Sequence, residues 1–129
     1  MRKELENRLI DLSVEIIKSC KNMHNDFISQ HMANQIMRSS SSAALNYGEA
    51  QGAESKNDFI HKTSIVLKEL RETHVNLIII SKSELFRERV LLDKLIDESN
   101  QLVAIFHKTV ITAKANRKSN IENRQSSNL

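Results

Sequence analysis

Residues 38–50 read RSSSSAALNYGEA, and whether this stretch is a hinge or a helix decides the fold. Four serines in a row suggest a flexible linker. Yet the serine run contains no glycine or proline, and it sits inside a helical period. Met32, Ile36, Ser40, Ala43, Tyr47 and Ala50 recur at spacings of three and four. Serine hydroxyls can donate to the carbonyl one turn back, so they need no outside partner. Small side chains on one flank let a neighbouring backbone come close. Tertiary packing then has to offset the modest helix propensity of serine. The stretch is read as the middle of a second helix over residues 30–53, ended by Gly52.

The flanking segments share the same period. Leu5, Leu9, Leu12 and Ile16 make one stripe of a first helix over residues 4–20, widened by Ile10, Val14 and Ile17. Lys21 to Ser29 is a polar connection, with Asn25 or Ser29 as the cap of the second helix. Ser55 with Asp58 three residues later is a near match to a capping box and starts a third helix. Its stripe is Phe59, Thr63, Val66, Leu70, Thr73 or His74, and Leu77, running to about Ser81. Leu67 and Ile78 broaden it, while Ile65 and Ile79 fall toward the opposite side. Ser83 to Arg87 is a break. A fourth helix over residues 88–116 is built on Leu92, Leu95, Ile96, Leu102, Val103, Phe106 and Val110, with Leu91, Ile105 and Ile111 spilling beyond that face. Apolar residues on two sides of a helix predict burial on two sides, hence a partner subunit. Residues 117–129 lose the period and are expected to form a disordered basic tail. The predicted architecture is all-α: one antiparallel up-down-up-down four-helix bundle over residues 1–116.

Composition narrows the class further. The 129 residues include no proline and only two glycines, Gly48 and Gly52, which leaves too few turn residues for a β-rich design. Cys20 is the single cysteine, so no internal disulfide can form, and a reduced cytoplasmic setting is expected. The N-terminus alternates charged and apolar residues, unlike a signal peptide. The longest wholly apolar run, Leu77 to Ile80, is far too short to span a membrane. Net charge is +3, from 19 basic and 16 acidic residues. That permits nucleic-acid binding without arguing for it.

No strong catalytic or metal motif is present. The phosphate-cradling GxxxxGK[ST] loop and the GxSxG elbow are missing. The histidines His24, His31, His61, His74 and His107 never take an HxxxH or HExxH spacing. No metal or cofactor is expected. Cys20 with a distant histidine is a conceivable nucleophile pair, but a lone cysteine at a helix end is more often packing. Glu69 with Glu72 is the one carboxylate pair that could be nominated for acid–base work. Tyr47 and the four phenylalanines mostly sit at core spacing, so no base-stacking platform is expected.

The informative polar residues lie on the second and third helices. Projected at 100° per residue, Gln35, Arg38, Ser42, Asn46 and Glu49 share one stripe, and Asp58, Lys62, Glu69, Glu72 and Asn76 share another. Bordering stripes of this kind predict an Arg/Lys-to-Glu network between helices or subunits, which fixes register more than it stabilises. The functional alternative is a nucleic-acid surface built from Arg38, Lys56, Lys62 and Lys68, joined by Arg117 and Lys118 of the tail.

The same residues carry a resemblance. The run RSSSSAALNYGEAQGAESKNDFIHKTSIVLKELRETHVNL, from Arg38 on, resembles the bacterial four helix bundle protein family, also called the intervening-sequence protein family of large-subunit ribosomal RNA genes. The signature is similar at Arg38, Ser42, Asn46, Glu49-Ala50, Ser55-Lys56, Asp58-Phe59, Lys62, Ser64, Lys68-Glu69 and Glu72-Thr73. It departs at His74, Val75 and Asn76, where the family commonly has an aromatic and a tryptophan, and it lacks a proline common between the first two helices. The resemblance implies an up-and-down bundle that assembles as a homopentamer, with no known enzymatic activity. A relative, the accessory protein of diversity-generating retroelements, is a basic pentameric barrel thought to bind nucleic acid and a reverse transcriptase. Five copies of this chain would carry about +15, enough to attract a polyanion that one copy would hold weakly. The expectation is therefore a non-enzymatic oligomer that binds structured RNA or other nucleic acid, with a protein-interaction scaffold as the alternative, Ile65, Ile79, Leu91 and Ile105 then serving subunit or partner contacts.

Overall fold

The computed structural model describes residues 2–127, with side chains as far as residue 123. Four helices make up nearly all of it: α1 (Arg2–Cys20), α2 (Phe27–Gln51), α3 (Lys56–Lys82) and α4 (Arg89–Ser127). Each packs on its neighbours in a closed ring, with the broadest contact between α2 and α3. Every neighbouring pair runs antiparallel. Between α2 and α3, Glu49 meets Lys62 while Arg38 meets Glu69 and Glu72. Between α3 and α4, Asn57 meets Arg117 while His74 meets Ser99. The molecule is the up-down-up-down four-helix bundle that the apolar periods predict.

The serine run is helical throughout. Ser40 Oγ donates to the carbonyl of Ile36 at 2.7 Å, and Ser41 Oγ to that of Met37 at 2.8 Å. Thr73 Oγ1 gives its proton to the Glu69 carbonyl at 2.8 Å, so Ser39 Oγ, 2.7 Å from Thr73 Oγ1, is the donor of that buried pair. Ser39, Ser40 and Ala43 are all essentially inaccessible. Their small volume lets α3 lie close, and their hydroxyls leave no orphaned donor.

Around this thin seam the core is aliphatic. Leu9, Ile16, Leu70, Leu77, Leu92, Leu102 and Phe106 are fully buried. Each such side chain contributes about 1.5–3 kcal/mol of transfer free energy. The ring of Tyr47 meets Phe106 edge to face, with centroids 5.1 Å apart and planes at 83°. That contact ties α2 to α4 across the centre of the bundle.

Three details differ from the sequence reading. The cap of α2 is Asp26, not Asn25 or Ser29. Its carboxylate accepts both the Ser29 amide at 2.8 Å and the Ser29 hydroxyl at 3.0 Å, and this pulls the helix start back to Phe27. Second, Ile10, Val14 and Ile17 of α1 do not widen the core; they are 44%, 40% and 41% exposed and form their own stripe outside it. Third, the fourth helix does not stop at residue 116 but continues to Ser127. The extension has neither glycine nor proline, and Arg117 anchors it by donating from Nη1 to Asn57 Oδ1 at 3.1 Å. A helix end that buries no apolar stripe leaves no period to read. The last two residues of the expected tail, 128 and 129, lie outside the described residues. The start of α3 is as predicted: Ser55 Oγ accepts the Asp58 amide at 3.0 Å, and Asp58 in turn accepts the Glu54 amide at 3.4 Å.

Candidate functional site

The seam between α2 and α3 carries the densest polar arrangement. Arg38 projects from α2 because its neighbours Ser39 and Ser40 take the inward positions. Its guanidinium forks onto α3, with Nη1 3.2 Å from Glu69 Oε2 and Nη2 2.7 Å from Glu72 Oε2. Glu69 and Glu72 are three residues apart and so lie one turn from each other. Their surroundings differ. The side chain of Glu69 is only 7% exposed, against 38% for Glu72 and 55% for Arg38. A buried carboxylate without a counter-charge would be costly, and Arg38 removes that cost. The hydrogen bond to Glu72, then the charge of Glu69, holds Arg38 even more firmly protonated than a free guanidinium.

A second pair sits nearer the loop joining α2 and α3. Lys62 Nζ donates to Glu49 Oε2 at 2.7 Å, a contact that raises the lysine pKa. Between the two pairs, Asn46 donates from Nδ2 to the Ser42 carbonyl at 2.9 Å and touches the Ser42 hydroxyl at 3.2 Å. Asp58 is occupied as the cap partner of Ser55. The predicted polar residues therefore lie along one seam, but as separate local pairs. Of the predicted basic residues, Arg38 and Lys62 are answered by carboxylates in that seam. Lys68 lies exposed on the outer surface of α3, without an ion pair among the described residues. Lys56 and Arg117 stand together at the far end of the bundle, with exposed Lys118 next along α4.

The cross-helix contacts that sequence reasoning missed include two between side chains of α4 and arginines of its neighbours. Arg8 of α1 reaches Glu98 of α4, with Nε 3.2 Å from Oε2, and also reaches Gln101 at 3.2 Å. Arg71 of α3 lies 3.3 Å from His107 Nδ1 on α4. Neither leaves a local signal, because the partners are distant in sequence and depend on how the helices are rotated. The residues that the sequence nominates for chemistry are poorly placed for it. Burial pushes the Cys20 thiol up to about 11, so it is protonated near neutrality, and its sulfur faces the Ala33 carbonyl at 3.9 Å. Glu69 and Glu72 share one arginine instead of flanking a substrate pocket; the adjoining groove, lined by Gln35, Arg38, Arg71, Glu72, Val75 and Asn76, is shallow and open. Among the described residues no helix is long and apolar enough to cross a membrane.

Similarity to known proteins agrees with the fold. Residues 4–108 match the model of a family described as 23S rRNA-intervening sequence protein, a span covering α1, α2, α3 and the first half of α4. The crystal structure of a protein with unknown function from the S23 ribosomal protein family of Bacteroides thetaiotaomicron VPI-5482 is similar, with a TM-score of 0.73 and 27% sequence identity. The similarity covers 82% of this chain and 97% of that chain. No curated protein matches. Neither description names an enzymatic activity.

Proposed function

The chain belongs to the 23S rRNA-intervening sequence protein family, and from that premise we propose that it is a non-enzymatic, self-associating bundle that holds structured RNA through the phosphate backbone. The observation that carries this reading is the state of the polar seam. Its acids are consumed by Arg38 and Lys62, so it offers no free acid–base pair, while the chain as a whole keeps a net charge of +3. Phosphate-dominated binding needs only accessible cations and is indifferent to sequence. Assembly multiplies those cations, and a homopentamer is the expected form.

The exposed stripe Ile10, Val14 and Ile17 on α1 supports self-association, since an apolar stripe at helical spacing is commonly covered by another protein surface. The same stripe favours a second reading, in which the assembly scaffolds another protein and has no nucleic-acid role. One experiment separates them. Absolute mass by light scattering is recorded with absorbance at 260 nm on the same peak, followed by titration with a structured RNA at increasing salt. An oligomer that binds RNA steeply less as salt rises supports the first reading. An oligomer that ignores RNA at about 50 mM salt, where phosphate contacts are strong, rejects it in favour of the second.

A further inference from the structure

The six ion pairs of the described residues are distributed unevenly. They lie across α1 and α4, across α2 and α3, within α1, and at the start of α4. None crosses the seam between α3 and α4. Yet that side of the molecule is where unanswered cations gather. On α3, Asp58, Glu69 and Glu72 are engaged by the loop before α3 or by α2, whereas Lys68 and Arg71 lie on the side toward α4 or open to solvent. On α4, the residues from His107 to Asn123 include Lys108, Lys114, Arg117 and Lys118 against the single acid Glu122, a surplus as large as the +3 of the whole chain.

Contacts that involve no carboxylate mark the two ends of this face. Arg71 touches His107, and Arg117 donates to Asn57. From Asn57 to Arg71, α3 covers about 21 Å at 1.5 Å per residue. At the Asn57 end lies a groove of about 400 Å³ lined by Ser55, Lys56, Asn57, Arg117, Asn120 and Ile121: two cations, three neutral polar groups and no carboxylate. Glu72 borders Arg71 across the shallow groove at the other end, but Arg38 already engages it. A face of this length, with cations that no carboxylate of the described residues pairs, complements a run of phosphates spaced a few ångströms apart.

We propose that the α3–α4 face, through Lys56, Lys68, Arg71, Lys114, Arg117 and Lys118, is the surface that takes the phosphate backbone of structured RNA. This rests on the function proposed above and moves the contact away from Arg38 and Lys62. Six cations on phosphates give a log–log salt slope of about −4 to −5.

The test uses the full chain and a labelled RNA hairpin of arbitrary sequence, followed by fluorescence anisotropy from about 50 to 300 mM KCl, the range in which phosphate contacts are titrated away. The triple variant Lys68→Gln, Lys114→Gln, Lys118→Gln changes only exposed side chains, and circular dichroism checks that it folds. It should flatten the slope by about 2 to 2.5 and weaken binding on the order of 100-fold at about 0.1 M salt. A control with the same charge change elsewhere, Lys3→Gln, Lys18→Gln, Lys62→Gln, should keep most of the slope. Equal losses in the two variants would show that binding follows net charge, which overturns the face while leaving RNA binding intact. Polyglutamate displacing the RNA as well as unlabelled hairpin does would assign the face to an acidic protein and overturn its assignment to RNA. Wild-type chain that fails to bind the hairpin at the lowest salt would overturn the proposed function itself.

Discussion

Removing the Arg38 guanidinium should expose the cost of burying Glu69. In Arg38→Ala, Glu69, whose side chain is 7% exposed in the wild-type chain, loses its only counter-charge among the described residues. Losing one partner of a fully buried pair costs about 3–5 kcal/mol. Arg38 is itself 55% exposed, so solvent screens part of the interaction and the expected loss is about 2 kcal/mol. With an m-value of ~1.5 kcal/mol/M, the urea midpoint falls by about 1.3 M. Glu72→Ala removes a more exposed carboxylate and should cost under about 1 kcal/mol, as surface pairs do. Urea melts followed by circular dichroism at about pH 7 measure both losses. The reasoning is refuted if Arg38→Ala costs no more than Glu72→Ala.

Other outcomes rest on the same geometry. Cys20 should resist alkylation in the native state at about pH 7.5 and react readily in urea; fast native labelling would contradict its burial. Because its folded pKa of about 11 lies above the unfolded 9.0, its contribution to stability is intact below pH 9 and is lost as pH rises toward 11, by about 2–3 kcal/mol relative to Cys20→Ala. Ser40→Ala should change stability by less than about 0.5 kcal/mol, since that hydroxyl serves only its own helix, whereas Ala43→Leu should cost about 1–3 kcal/mol by wedging α2 off its neighbours. Thermal melts of the two variants give the comparison, and equal effects would mean that the seam is not close-packed. Gly48→Ala places a methyl where nothing lies within 4 Å and should stabilise the helix by about 0.5–1 kcal/mol in urea melts; a loss instead would reveal another chain packed there.

How much of this could be read from the sequence depended on whether a residue's role was local. Leu9, Leu12 and Ile16, or Leu102, Phe106 and Val110, are buried on a single period, and that period is visible in the chain itself. The serine run was legible for the same reason: Ser40 and Ala43 fall in register with Ile36 and Tyr47. Ile10, Val14 and Ile17 misled because hydropathy says that a face avoids water and not whether its own bundle covers it. The extension of α4 was invisible because helix without a buried face has no pattern, and the contact that holds it, Arg117 with Asn57, joins residues 60 apart. The polar seam was half legible. The two stripes could be placed side by side, but which cation would meet which acid depended on helix rotation.

That same rotation separates structure from function among the charges. A lysine or arginine in a list of basic residues is equally a structural counter-ion or a contact for an outside anion, and only its neighbours decide. Arg38 faces the buried Glu69, so its charge is fixed by the fold and removing it damages the fold first. Lys68 is six residues along α3 from Lys62, yet one is exposed and the other sits against Glu49. Placing the acids of α3 toward α2 or the loop before it leaves Lys68, and Lys114 and Lys118 late in α4, without a carboxylate partner among the described residues. The polyanion proposed for that face would meet Lys68, Lys114 and Lys118 without first breaking an ion pair, whereas Arg71 and Arg117 would exchange or share their contacts with His107 and Asn57.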